Sequence, residues 1–111
     1  MDIVFATRKL EKAFNKEKEL VREYGPKMAR TIMMRMAVLK GARNLTQVST
    51  AKPPRRHQLS QDRDEQFAVD LDHPYRLVFK PDHDPIPRKT DGGIDIDLVT
   101  AIKILGVIDY H

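Results

Sequence analysis

All four histidines, the side chains best suited to move protons near neutral pH, lie in the second half of this 111-residue chain. His57 closes a basic stretch, Arg63 and Arg76 follow it, and Asp109, Tyr110 and His111 stand together after the apolar run AIKILGVI. The stretch KGARNLTQVSTAKPPRRH carries Lys40, Arg43, Lys52, Arg55 and Arg56 and no acid, so it can attract a polyanion. The chain has no cysteine, which excludes a disulfide framework, a thiolate nucleophile and a thiolate metal site. No Ser-based triad and no Gly-rich phosphate loop stands out. What remains is imidazole, able to act as acid or base near neutral pH, and guanidinium, able to clamp phosphate oxygens.

Those groups suit cleavage of RNA by attack of its own 2′-hydroxyl on the adjacent phosphate. The substrate then brings the nucleophile, and the protein supplies a base, an acid for the departing 5′-oxygen and cations for the developing charge, all in line. Taken singly, His57 is more often a structural histidine and Tyr110 a ring capping the core. Together with two arginines and a carboxylate they argue for a site. No cofactor is needed for such chemistry. Asp82-His83-Asp84 and Asp91-Gly92-Gly93 offer carboxylates without the register of a calcium loop, so a solvated acidic loop is expected there and no metal.

The elements that must position these groups follow from local pattern. Length implies one domain over 1–111, and an apolar content of 41% is too high for a disordered chain. The start, MDIVFATRK, has no long apolar segment, so a cytoplasmic protein is expected. DIVFAT reads as a strand, after which Thr7 can cap a helix. Leu10, Ala13, Phe14, Leu20, Val21 and Tyr24 fall near helical spacing as far as Gly25, and Pro26 opens a second helix with an apolar stripe of Ala29, Ile32, Met33, Met36 and Leu39. Methionines at that spacing are expected to pack the core, with a partner-binding face as the second possibility. The remainder has the period of strands: one starting at His57, then QFAVDL, YRLVFK and a last strand from Val99 to Tyr110.

This order predicts an α+β fold, with an N-terminal strand and a helical hairpin packed on one face of a mostly antiparallel four- or five-stranded sheet. Strict alternation along the last strand would put Ile102, Ile104, Ile108 and Tyr110 on one face. Lys103, Leu105, Val107, Asp109 and His111 would take the other.

The segments HQLSQDRDEQFAVDLDHPYRLVFKP and AIKILGVIDYH resemble the HigB-like branch of the RelE/ParE superfamily of bacterial toxins, in the His-x-Leu strand, the Asp-Arg turn, the YRLVF strand and the terminal Asp-Tyr-His. The resemblance covers about the C-terminal half. It implies a type II toxin–antitoxin toxin that cuts mRNA in the ribosomal decoding site and is neutralised by an antitoxin protein. It carries the active site over to His57, Asp109, Tyr110 and His111, with His57 and His111 as the proton-transfer pair, Asp109 orienting a neighbour and Tyr110 stacking on a base or orienting the RNA. Lys52, Arg55, Arg56, Arg63 and Arg76 are the expected RNA-binding cations. The alternative on the same fold is a ParE-like protein that inhibits DNA gyrase by binding alone, and fold by itself does not separate the two.

Overall fold

The computed structural model describes residues 1–110, and His111 lies outside them. Five strands form one sheet: β1 (Asp2–Phe5), β2 (His57–Gln58), β3 (Phe67–Asp70), β4 (Tyr75–Pro81) and β5 (Ala101–Asp109), in the order β1-β5-β4-β3-β2. β1 runs parallel to β5, and all other pairs are antiparallel. Helices α1 (Arg8–Phe14), α2 (Glu17–Tyr24) and α3 (Pro26–Gly41) fill the span between β1 and β2. This is the α+β arrangement that the sequence pattern predicts.

The local signals work as their chemistry requires. The Thr7 side chain accepts the Leu10 N–H at 3.1 Å and so satisfies one of the donors left open at the start of α1. Gly25, at φ +84°, turns the chain between α2 and α3, and Pro26 takes the first turn of α3, where no N–H is missed. The first arm of the hairpin departs from a single helix, because the chain is extended at Lys16 and divides it into α1 and α2. Asn15 ends α1, as befits a residue whose side chain competes with the helical backbone. The break brings Phe14 edge-on to Phe5 at 5.6 Å and to Tyr24 at 6.4 Å.

The core lies between α2 and α3 and one face of the sheet. Leu20, Ala29, Ile32 and Leu39 pack there with Phe67, Val69, Leu77, Phe79, Ile102 and Ile104. Met33 and Met36 are partly buried against this cluster, whereas Met34 is exposed. The acidic segment after β4 is pinned rather than merely solvated: Arg88 bridges Ile94, and Ile94 and Val99 are buried in the core. No helix among the described residues is long and apolar enough to cross a membrane.

The last strand corrects the alternation read from sequence. Gly106 pairs with Val78 and Ile104 with Phe79, so Leu105 is an extra residue in β5, a β-bulge. Beyond it the parity is exchanged. Val107, opposite Leu77, packs on the core beside Ile102 and Ile104, while Ile108, opposite Arg76, turns to the second face with Lys103. Gly106 sits at φ +152°, a backbone setting that glycine tolerates and that lets the strand bend at this point.

Candidate nucleic-acid interface

The face of the sheet away from the helices carries the candidate chemistry, and strand register fixes which groups meet there. One row across the sheet reads His57, Ala68, Val78 and Gly106, and the next reads Asp70, Arg76 and Ile108. Ala68 and Val78, at the centre of the first row, are wholly buried, and His57 stands at one end of it. Tyr110 follows β5, its N–H donating to the Pro74 carbonyl at 3.0 Å. Its ring lies under the Arg76 guanidinium, 4.4 Å from ring centre to Cζ, a cation–π contact that holds both side chains on this face.

Asp70 is the hub. Its carboxylate accepts two bonds from Arg55, from Nε at 2.6 Å and Nη2 at 2.9 Å, and lies 3.8 Å from Arg76 Nε. Its backbone N–H donates to Pro54 and its carbonyl accepts Arg35 Nε at 2.6 Å. One residue therefore ties together the basic segment before β2, helix α3 and strand β4. Burial works to raise the Asp70 pKa. The bonds and charge of Arg55, joined by the charges of His57 and Arg76, outweigh it and hold the carboxyl below the usual carboxylate range. In turn the bond to Asp70 pushes the Arg55 guanidinium up.

His57 Nδ1 lies 2.9 Å from the Arg55 carbonyl, an acceptor, so Nδ1 donates there, and in the neutral ring the lone pair falls to Nε2. Among the described residues, Nε2 is buried with no hydrogen-bond partner, and so is the Tyr110 hydroxyl. Two unsatisfied polar atoms among the candidate residues are exceptions to the rule that buried polar groups are paired. A groove of about 560 Å³ takes in Tyr110, lined by Lys52, Arg55 and Arg76 together with Arg35, Tyr75 and Asp70. Four cations against one carboxylate, beside two phenol rings, make a surface suited to a phosphodiester chain with bases to stack.

The predicted site residues thus separate. Lys52, Arg55, Arg76 and Tyr110 line one groove, and His57 lies close enough to contribute to the field at Asp70. Arg56 is committed to the fold: its Nε donates to the Val48 carbonyl at 2.8 Å, and burial pushes its pKa down. Arg63 sits in a short turn over Gln61–Arg63 and donates to Gln66 at 3.2 Å, away from the groove lining. Asp109 pairs across the sheet with Tyr75, which lines the groove, and is not itself among the lining residues. His111 lies outside the described residues.

Asp70, Arg35 and Tyr75 join the site without having been singled out in the sequence. Asp70 had one local signal, a carboxylate inside the apolar strand QFAVDL. Arg35 stands within a Met-rich helical stripe and had none.

No family model matches the chain, and no curated protein matches it in sequence. Solved structures do match. A YoeB/ParE toxin from Agrobacterium tumefaciens superimposes over the full length of both chains with a TM-score of 0.58 at 10% identity. The YoeB–YefM complex from Staphylococcus aureus gives a TM-score of 0.56 at 17% identity, covering all of this chain and 97% of the other. A heterotetrameric YoeB–YefM toxin–antitoxin complex from the same organism gives 0.51 at 17% identity, with the same coverage. The chain has the fold of the YoeB toxins. At this level of identity the YoeB likeness is one of architecture, and what the groove does rests on its own residues.

Proposed function

We propose that this chain is the toxin of a toxin–antitoxin pair and acts as a ribosome-dependent mRNA endonuclease of the HigB-like kind. The observation that carries the reading is a groove lined by Lys52, Arg55, Arg76 and Tyr110, with His57 hydrogen-bonded to the backbone of Arg55, on a fold shared with YoeB toxins. Arg55, Arg76 and Lys52 hold the transcript's phosphates, and their charge stabilises the phosphorane as it forms. His57 Nε2 takes the 2′-hydroxyl proton, in the tautomer that the Arg55 carbonyl enforces. The oxygen attacks phosphorus, a cyclic 2′,3′-phosphate forms, and the 5′-oxygen leaves with a proton from the imidazole of His111. Tyr110 orients the RNA, and Asp109 orients or polarises a neighbouring group. Because Nε2 is buried, docking of the transcript must open a path to it.

An antitoxin is the natural partner of such a protein, and the YoeB structures from Staphylococcus aureus were solved with YefM. The basic groove suits an acidic or groove-covering antitoxin segment, and the cytoplasm is where its ribosomal target lies. The deciding experiment adds purified protein to programmed ribosomes and maps transcript ends, with His57→Ala and a His111 deletion as controls. Cleavage at defined codons, lost in both variants, is expected. Intact transcripts together with loss of DNA gyrase supercoiling would replace this reading with the ParE-like one.

A further inference from the structure

A carboxylate at the centre of a phosphate-binding groove is at first sight misplaced, since it repels the ligand that the surrounding cations attract. The geometry of its contacts explains it. A guanidinium offers two edges for bidentate bonding: a side edge of Nε and one Nη hydrogen, and an end edge made by the two Nη groups. Asp70 grips Arg55 along the side edge, through Nε at 2.6 Å and Nη2 at 2.9 Å. The end edge is outside that pair, and Arg55 is among the residues lining the groove. Arg55 also sits at φ +46°, a setting unusual for a side chain of its kind, which the Asp70 N–H to Pro54 bond and the ion pair together sustain. The same carboxylate lies 3.8 Å from Arg76, whose other contact is the Tyr110 ring.

We propose that Asp70 is a positioning residue, gripping Arg55 by its side edge so that the end edge is held towards a phosphate of the bound RNA, with Arg76 fixed beside it. This inference rests on the reading of the groove as an RNA site. Asp70 touches no reacting atom. It is not a placeholder that the phosphate evicts: it remains bonded to Arg55 while RNA is held. A lysine could not do both jobs, because a single ammonium has no second, rigidly related edge.

Two measurements test this on the full-length protein. In the first, the Arg55 Nε–Hε resonance is followed by NMR during titration with a short RNA made uncleavable by 2′-O-methyl groups. The signal should stay at its hydrogen-bonded position, and should be lost from that position in Asp70→Asn. Movement to the free-guanidinium position on RNA binding would show Asp70 displaced and overturn the proposal, leaving the RNA site standing. No binding of RNA at all would remove both. In the second, single-turnover cleavage on programmed ribosomes should fall roughly 10- to 100-fold in Asp70→Asn, while affinity for the uncleavable RNA is unchanged or tighter, because the groove has become more positive. Arg55→Lys should lose as much, and the double variant should be no worse than Arg55→Lys alone. Additive losses, or full activity in Asp70→Asn with melting matched to wild type, would overturn it.

Discussion

Replacing Tyr110 by phenylalanine should make the protein more stable and less active. The Tyr110 hydroxyl is buried and has no hydrogen-bond partner among the described residues, so folding removes it from water without compensation from them. A polar group left in that condition costs about 1–3 kcal/mol. Phenylalanine deletes the cost and keeps the ring, and with it the stacking beneath Arg76 at 4.4 Å. Taking the lower end, for a side chain near the edge of the sheet, the expected gain is roughly 1 kcal/mol, or about 4 °C in Tm for a domain of this size. Tyr110→Ala is the contrasting variant: it loses ring burial and the cation–π contact and should cost about 2–3 kcal/mol. Urea denaturation and thermal melting read both values, and transcript-end mapping reads the activity. If the hydroxyl is reserved for RNA, cleavage falls in Tyr110→Phe although the fold is firmer, the exchange expected where a polar atom is kept unpaired for function. A Tyr110→Phe protein less stable than wild type would refute the reasoning, because the hydroxyl would then have a partner of its own.

Asp70 makes stability depend on acid. Its folded-state pKa lies below the unfolded value near 3.9, so its contribution is fully present above that value and lost as pH falls through the folded one. Stability measured from pH 6 down to pH 2 should therefore decline less steeply in Asp70→Asn, which should itself cost about 1 kcal/mol at neutral pH, since solvent screens a pair whose side chains are 36% and 23% exposed. Gly106→Ala should cost about 1–2 kcal/mol by urea denaturation, because φ is +152° while a new Cβ would meet nothing within 4 Å, making the penalty one of backbone conformation rather than of space. Thr31→Val keeps shape but deletes the 2.9 Å bond from the buried Thr31 hydroxyl to Asp72, which ties α3 to the turn before β4. A loss of about 1–2 kcal/mol in the same assay is expected.

Much of this architecture is legible because the signals that write it are local. Thr7 capping α1, Gly25 and Pro26 turning the hairpin, and the β-rich runs FAVD and YRLVFKP each depend on a few neighbouring residues. The site is legible where strand alternation holds. Arg76 and Tyr110 can be nominated from their types, and they meet because β4 and β5 pair. The failures share one cause, which is that a period of two carries an error indefinitely. A single extra residue at Leu105 reverses every facing assignment after it, and Gly106 was the only mark of it in the sequence.

That bulge is also what makes the groove possible. Without the exchange of parity at Leu105, Val107 would leave the core and the Tyr110 ring would lie on the helix side, remote from Arg76. Arg76 would then have only the carboxylate of Asp70, 3.8 Å away, to hold it. Asp70 in turn binds across distances that no local pattern encodes: Arg55 lies fifteen residues earlier and Arg35 thirty-five. One irregularity in β5 and one carboxylate in β3 thus decide together which cations face a phosphate. The apolar pattern that builds the sheet fixes only that there is a face for them to share.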